Sequence, residues 1–405
     1  MPKLSNPKSL ILDQISSESV VKIHPWIFGK RIENKLKDFQ AGDIINLYDS
    51  NSRLLGTGIY SGEDELIAIR VFHFGEGFSL KKIYENLSIS IQKRLPLLIY
   101  TDSFRLIHGE NDNFPGITVD YHAGTLLLRY YSKSLYTFSR MIINAIWILV
   151  WNNPDWNLRI ENAYIQIPNR TGKKIPKKDN RLIVLRGIKK EYINIRYRNI
   201  TYKIKPNSQK GGIYNDIRNL RDYLWLHKNY VHEKTVLNLF SNNGLLSNCL
   251  VNLGAKRVYS IEDSRECIEI HKLNTPLDSK QEIIKLDIFK EYESYTERIN
   301  KKFGLIIIDP PSLTSNSKDK HNAIKIYKKL TYLSIKILEE SGILVVCSCS
   351  NRIHSNEFES IVKEVFNESS IKMKRLDKLK NEIDHPVLDT FPEGNYFKVH
   401  IYKKI

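Results

Sequence analysis

A few short segments hold side chains whose types and spacing could do chemistry. The run Leu305-Ile-Ile-Ile-Asp309-Pro310-Pro311-Ser312-Leu313 puts a carboxylate at the tip of an apolar strand. The two prolines cannot continue a β-ladder, so the acid is held at the strand end with little freedom. A second apolar strand, Ile343–Cys347, runs into Cys347-Ser348-Cys349-Ser350. Side chains alternate along a strand, so both thiols share one face, with Cys349 nearer the end. A thiolate can add to carbon six of a pyrimidine and make carbon five attack an electrophilic methyl group. The same two residues could instead be small core residues, because free cysteine is among the most buried types. The residues taken alone leave both readings open. A zinc site is not expected: no second cysteine pair exists, and His354 would be the only close supplement.

A second constellation has the spacing of a nucleotide-type cofactor site. Val236-Leu-Asn238-Leu-Phe240 leads into Ser241-Asn-Asn-Gly244, with a helix starting near Leu245. Ligands of a doubly wound sheet sit beyond the carboxyl ends of its strands, where glycine allows close approach of the backbone. Eighteen positions after Gly244 the next strand closes on Glu262, the spacing at which an acid accepts from ribose hydroxyls. A third strand ends in Lys285-Leu-Asp287, whose carboxylate either accepts from an adenine amino group or caps the following helix. No G-x-G-x-x-G is present, which disfavours a nicotinamide cofactor.

These groups can act together only if the elements between them bring the strand ends to one rim. After Pro206, helical stretches alternate with apolar strands at Thr235–Leu239, Arg257–Glu262, Glu282–Leu286, Leu305–Ile308 and Ile343–Cys347. That pattern predicts a doubly wound α/β domain, its parallel sheet covered on both faces, over residues 206–405. Before it, strands predicted at Gly116–Asp120, Thr125–Tyr130, Leu158–Ile167, Arg181–Leu185 and Tyr192–Tyr197 surround a helix at Thr137–Val150. With a helix at Ser79–Arg94, whose apolar residues recur every three or four positions, they make a small α+β domain over 79–205. Residues 1–78 read as a β-rich module, with alternating strands at Asp43–Tyr48 and Leu66–Val71.

Charge and composition narrow the partners. Lys and Arg number 62 against 45 Asp and Glu, a formal charge of +17, which raises the local potential toward polyanions such as nucleic acid. The stretch Asn169–Arg181 gathers Arg170, Lys173, Lys174, Lys177 and Lys178 into a basic loop that either grips phosphates or is simply solvated. Only four cysteines occur, without the spacing of a disulfide framework. Met1–Val21 lacks the uninterrupted apolar core of a signal peptide, and the longest greasy stretch, Met141–Trp151, is about half a membrane span. A soluble cytoplasmic protein without a membrane or metal partner is expected; a homodimer is compatible with the sequence.

The dispersed motifs resemble one family, the bacterial ribosomal RNA large-subunit methyltransferase I family. Its members are class I S-adenosylmethionine-dependent cytosine-C5 methyltransferases with an N-terminal PUA domain. His24-Pro-Trp-Ile-Phe28 resembles the PUA signature, and Arg105-Leu-Ile-His-Gly-Glu-Asn-Asp112 with Pro115-Gly116 and Val119-Asp120 resembles the opening of the central domain. Gln209-Lys210, Gly212 and Asp216-Ile-Arg218 resemble the lead into the catalytic domain. His385-Pro-Val387, Phe391-Pro-Glu-Gly394 and Tyr396-Phe-Lys398 resemble the closing motif.

The resemblance implies that Asn238, Phe240, Ser241 and Gly244 surround the methionine part of S-adenosylmethionine, that Glu262 holds its ribose, and that Asp287 is the adenine-side acid. It further implies that Asp309 lies between cofactor and target base, that Cys349 is the nucleophile, and that large-subunit ribosomal RNA is the partner. Departures from the pattern are Gly211, Ile217, Leu245 and Gly304. The second cysteine that many such enzymes use to help remove the carbon-five proton is absent after Asp309, where Pro311, Ser312 and Leu313 stand. Cys347 is the substitute the sequence offers. Two other readings keep this fold: methylation of a guanine or adenine nitrogen, which needs no thiol, and an RNA-binding assembly factor without catalysis. Trp26, Phe28 and Tyr214 are candidates for stacking on bases.

Overall fold

A computed structural model describes residues 6–29, 38–62, 65–166, 182–208, 212–276, 279–314 and 319–405. The basic loop expected at Asn169–Arg181, and Gln209 to Gly211 of the motif before the catalytic domain, lie outside the described residues. The chain divides into two compact units, one of residues 1–199, 206–211 and 383–394, the other of 200–205, 212–382 and 395–405.

The first unit contains two five-stranded sheets. One takes Lys8–Ile11, Ile44–Tyr48, Leu54–Tyr60, Ile67–Phe74 and Trp26–Phe28 in that spatial order. Alternation sends Ile45, Leu47, Ile69 and Val71 into a core with Leu10 and Ile27. The other runs Leu182–Arg186, Asn162–Gln166, Thr125–Tyr130, Ile117–His122, Ser103–His108. Against it pack the helices Leu80–Arg94, capped by Ser79 accepting from the Lys82 amide at 3.2 Å, and Tyr136–Asn152. Ile44, Ile59 and Phe72 of the first sheet join Ile83, Leu87 and Ile142 in one continuous core. The Tyr136–Asn152 helix, with the turn before it, is longer than the apolar stretch expected from sequence and is apolar enough to cross a membrane. Its Phe138, Ile142, Ile143 and Ile146 are nevertheless buried in that core, which is what a core helix requires.

Residues 383–394 fold with this first unit although they lie near the end of the chain. Asp384 accepts from the Arg105 amide at 2.9 Å, and Asn111 accepts from the Leu388 amide at 3.0 Å. Arg94, fully buried, forks onto both oxygens of Asp112 at 3.0 and 2.6 Å. Two segments that were separate motifs in the sequence are therefore one packed assembly.

The second unit is built on a seven-stranded sheet. We label its strands β1 (Thr235–Leu239), β2 (Arg257–Glu262), β3 (Gln281–Lys285), β4 (Phe303–Ile308), β5 (Leu338–Ser348), β6 (Met373–Lys378) and β7 (Lys398–Lys404). A helix at Arg218–Leu226 precedes β1, and the helices after it are α1 (Leu245–Asn252), α2 (Arg265–Leu273), α3 (Ile288–Arg298), α4 (Lys320–Lys336) and α5 (Ser355–Ser369). The strand order is β3-β2-β1-β4-β5-β7-β6. β1 to β5 are mutually parallel, and β7 is antiparallel to both of its neighbours. Alternate residues feed opposite cores: Leu237, Ile306, Ile308 and Val346 one, Val236, Leu305, Ile307 and Val345 the other. The α/β doubly wound fold expected from the apolar runs is borne out; β6 and β7 extend it beyond the strands read from sequence. The order reverses between β1 and β4, and a crevice at such a reversal is where open α/β sheets bind ligands.

Candidate active site

The rim at the carboxyl ends of β1, β2 and β4 holds the residues singled out for cofactor binding. Beyond β1 the backbone turns sharply, with Phe240 at φ 60°, Asn242 at φ 51° and Gly244 at φ 88°. Gly244 precedes α1, and a Cβ there would lie 2.0 Å from Cδ2 of His271, a fully buried ring. Only glycine fits both that conformation and that space. The Ser241 amide donates to the Ile261 carbonyl at 3.0 Å, tying the loop to β2. Asn238 is buried and donates to Ser247 Oγ at 2.9 Å, which exchanges a hydrogen bond with Ser260 at 2.7 Å.

Glu262 ends β2 as a half-buried acid. One oxygen accepts from the Asn242 amide at 2.8 Å; the other accepts from the amides of Asp263 at 3.0 Å and Ser264 at 2.9 Å. It therefore braces the loop after β1 from across the strand gap. Phe240 lies against Phe289 with ring centroids 5.3 Å apart. Phe289, two residues after Asp287, is 46% exposed, a large apolar face at the same rim. Asp287 is the N-cap of α3, accepting from the Phe289 amide at 3.1 Å and pairing with Lys290 at 2.8 Å. The Lys290 hydrogen bond holds its carboxyl below the usual range.

These residues can be tested against a nucleoside-sulfonium cofactor. Ser241 Oγ is buried without a hydrogen-bond partner, and buried hydroxyls in native proteins are normally satisfied. An unmet hydroxyl, an obligatory glycine, an acid at the next strand end and an exposed phenyl ring fit such a ligand.

The second half of the rim lies across β4 and β5. Ile308 pairs with Val346, so Asp309 and the residues after Val346 emerge side by side. Asp309 is half-buried, Pro310 buried, and Pro311 and Ser312 exposed. Cys349 is half-buried just past β5, with Sγ 3.6 Å from the Pro310 carbonyl oxygen. Its flanks are pinned: Tyr327 Oη donates to Ser348 Oγ at 3.0 Å, and the Ser350 amide donates to the same oxygen at 3.3 Å.

Cys347 has a different environment. It is fully buried among Val345, Val399 and Ile401, and burial, then the charges of Asp309, Cys349 and Asp216, push its thiol well up. A neutral thiol in that core is a poor proton acceptor, which weighs against the substitute role the sequence offered for Cys347.

Several residues at this rim had no assigned role in the sequence. Tyr396 donates to Asp216 at 2.8 Å. Buried Lys398 donates to the Tyr396 carbonyl at 2.9 Å and to the Ser350 carbonyl. The closing motif contained both, but nothing local placed them beside Cys349. Tyr214, which the sequence offered as a stacking candidate, is half-buried at this rim; burial and then Asp216 push its hydroxyl up, with Asp309 and Cys349 contributing. In the first unit Trp26 donates to Glu110 at 2.8 Å and lies edge-on to Phe391 at 4.8 Å, so it packs rather than standing open. Among the described residues no cluster of three or more His, Cys, Asp or Glu could hold a metal ion.

Comparison with known proteins agrees with this fold. Residues 10–74 match a PUA-like domain family. A Streptococcus mutans protein provisionally assigned as a SAM-dependent methyltransferase superposes with a TM-score of 0.78 at 23% identity, covering 98% of this chain and 100% of that one. SMU.776, a provisionally assigned methyltransferase solved with SAH, superposes at 0.80 with the same identity and coverage. The fold thus defines a PUA-like module joined to a methyltransferase-type α/β domain. In sequence, the chain is 27% identical to Ribosomal RNA large subunit methyltransferase I of Shigella dysenteriae over 96% of its length and 97% of that protein's. The Escherichia coli K12 protein of the same name matches with the same identity and coverage. The family resemblance carried by the motifs is borne out over nearly the whole chain.

Proposed function

We propose that this chain is an S-adenosylmethionine-dependent ribosomal RNA methyltransferase that modifies carbon five of a cytosine in the large-subunit RNA through a covalent adduct with Cys349. The observation that carries the reading is the pairing of β4 with β5, which sets Asp309 and Cys349 on adjacent strand ends. The PUA-like match and the full-length similarity to proteins named for large-subunit ribosomal RNA support the choice of substrate.

Asn238, Phe240, Ser241, Gly244 and Glu262 would hold the cofactor, with Asp287 and Phe289 on the adenine side. When bound, S-adenosylmethionine supplies an electrophilic methyl group. The chain's own residues do the rest. Cys349 thiolate adds to carbon six of an unstacked cytosine, forming a C–S bond and making carbon five nucleophilic. Asp309 hydrogen-bonds the ring nitrogen and holds the base against the thiol. After carbon five is methylated, water takes its proton, the C–H electron pair restores the ring double bond and the C–S bond breaks, releasing Cys349 as thiolate. Lys and Arg in excess, including the segment Lys173–Lys178, would hold phosphates while the PUA-like module reads RNA shape.

We further read residues 1–78 and 79–205 as two functional modules and 206–405 as the catalytic region, with 200–205 folding in the second unit and 206–211 and 383–394 in the first, and place the protein in the cytoplasm, where ribosomal RNA is available. The homodimer belongs to this reading as an assembly that sedimentation at micromolar concentration tests.

The deciding experiment compares ribosomal RNA from cells with and without the protein by nucleoside mass spectrometry. Loss of one 5-methylcytosine is the expected result. Loss of an N-methylated purine would replace the covalent route with direct nitrogen methylation. An unchanged profile, with no heat on calorimetric titration with S-adenosylmethionine, would leave an assembly factor.

A further inference from the structure

The charge at the far side of Cys349 is the least expected feature of the second unit. Lys398 opens β7 and pairs in register with Ser348 of β5. It is only 4% exposed, on the face of β7 that it shares with His400, opposite the face on which Val399 and Ile401 pack with Cys347. Burying an ammonium is costly unless it is hydrogen-bonded and faces compensating charge. Its hydrogen bonds go to two main-chain carbonyls, those of Ser350 and Tyr396. The first belongs to the residue directly after Cys349, so the ammonium is anchored to the turn that presents the thiol.

We propose that Lys398 is a positioning residue for Cys349: its ammonium fastens the Cys-Ser turn through the Ser350 carbonyl and stabilises the thiolate electrostatically. The inference rests on the reading of Cys349 as the reactive thiol. Ionisation of Cys349 releases its proton to water, and the resulting sulfur anion is stabilised by the ammonium held at the carbonyl of the next residue. Lysine suits this task because it is a compact point charge, and a neighbouring cation is the usual means of lowering a thiol's pKa.

Other charges around this rim oppose or modulate the effect. The carboxylates of Asp309 and Asp216 bear on Cys347 and Tyr214 in the same cluster, and disfavour a second anion. The hydroxyls of Tyr214 and Tyr327 are both pushed up, mainly by burial, and stay neutral. Glu357 faces Lys398 and is paired with Lys320 at 2.8 Å; His400, on β7, is pushed down to about 4 by burial and stays neutral. Burial draws Lys398 itself down to about 8, with Cys349 and Glu357 acting in the opposite sense. Its positive charge is therefore retained at neutral pH and depends in part on the thiol it supports.

The test is the pH dependence of Cys349 alkylation by iodoacetamide, followed by peptide mass spectrometry in the full-length protein. Lys398→Met should slow Cys349 labelling at pH 7 by about tenfold and move its alkylation midpoint about one pH unit upward, while Lys398→Arg restores most of the rate. Calorimetric titration with S-adenosylmethionine checks that each variant keeps its fold. A Lys398→Met profile that coincides with wild type overturns the proposal, as does an Arg variant displaced as far as the Met variant.

If Lys398→Met does not fold, the reciprocal measurement decides. In Cys349→Ser, the Lys398 side chain, followed by NMR of 13Cε-labelled lysine, should titrate at lower pH than in wild type, because coupling between two sites is mutual. Identical midpoints overturn the proposal. Neither readout uses RNA turnover, so failure of Cys349 as nucleophile would be seen separately in the methylation assay.

Discussion

The thiol of Cys349 reaches the main-chain carbonyl of Pro310 at 3.6 Å. That contact joins the Asp-Pro-Pro tip of one strand to the Cys-Ser-Cys-Ser end of its neighbour, and neither tip can move far without disturbing the other. It places sulfur and carboxylate chemistry at one point of the sheet, on the rim where the loop after β1 and the end of β2 also emerge.

The first expectation concerns that sulfur. Cys349→Ala should lower methyl transfer by about a thousandfold or more, as expected when a covalent step is removed. The affinity for S-adenosylmethionine should stay within about twofold by calorimetry. Turnover close to wild type, measured with labelled cofactor on ribosomal RNA lacking the modification, would eliminate the adduct mechanism.

Glu262 should matter for binding rather than for chemistry. Its two oxygens accept from the amides of Asn242, Asp263 and Ser264, so Glu262→Ala removes both the predicted ribose acceptor and the brace of the loop. Hydrogen bonds to a charged group are worth about 1.5–3 kcal/mol, a loss of about 10- to 100-fold in cofactor affinity. Glu262→Gln should lose less. A folded Glu262→Ala protein with unaltered affinity for S-adenosylmethionine would remove Glu262 from the site.

Gly244→Ala should damage the fold as well as the site. The added methyl group meets the buried His271 ring, held by Gln281 at 2.8 Å, and the backbone at φ 88° is strained for any L side chain. A cost of about 2–4 kcal/mol follows from the steric clash and strain together. Thermal unfolding should show a drop of several degrees; an unchanged midpoint would mean that the loop relaxes freely.

A pH effect is expected from His122 in the first unit. The ring is fully buried, bonded to Ser103 at 2.8 Å, and burial lowers its pKa from 6.5 to about 4, with Arg129 and Arg105 adding to the effect and Asp120 opposing it. Because the folded pKa lies below the unfolded one, the unfolded chain binds more protons between these values. Stability is full above pH 6.5 and falls as pH drops toward 4, by up to about 3 kcal/mol for this group. Denaturant unfolding of wild type and His122→Asn across pH 4 to 7 checks it: the variant's slope should be shallower, and equal slopes would exonerate the histidine.

Much of the catalytic sheet was legible in the residues. Strands β1 and β2 occupy the spans that their apolar runs predict, because a strand buried on both faces has to be largely apolar. The acids and thiol at the strand ends were legible for the same reason: each interrupts such a run. β6 and β7 were not singled out. Met373–Lys378 is largely exposed, and Lys398–Lys404 carries Lys398 and His400 into the interior, so neither reads as a buried strand. The two readings of Asp287, cap or adenine acceptor, also turned on tertiary context; the cap is present, and it leaves the acid at the same rim.

The sequence by itself determined the order of β1 to β5, their parallel-sheet class and the residues that close those strands, because all of these follow from periodicity among near neighbours. Tertiary structure alone decided that Lys398, 48 positions from Ser350, sits against the turn bearing Cys349, and that Asp384, 279 positions from Arg105, accepts its amide. Those pairings depend on which strands and loops find each other across the chain, and such long-range packing leaves no local pattern to read.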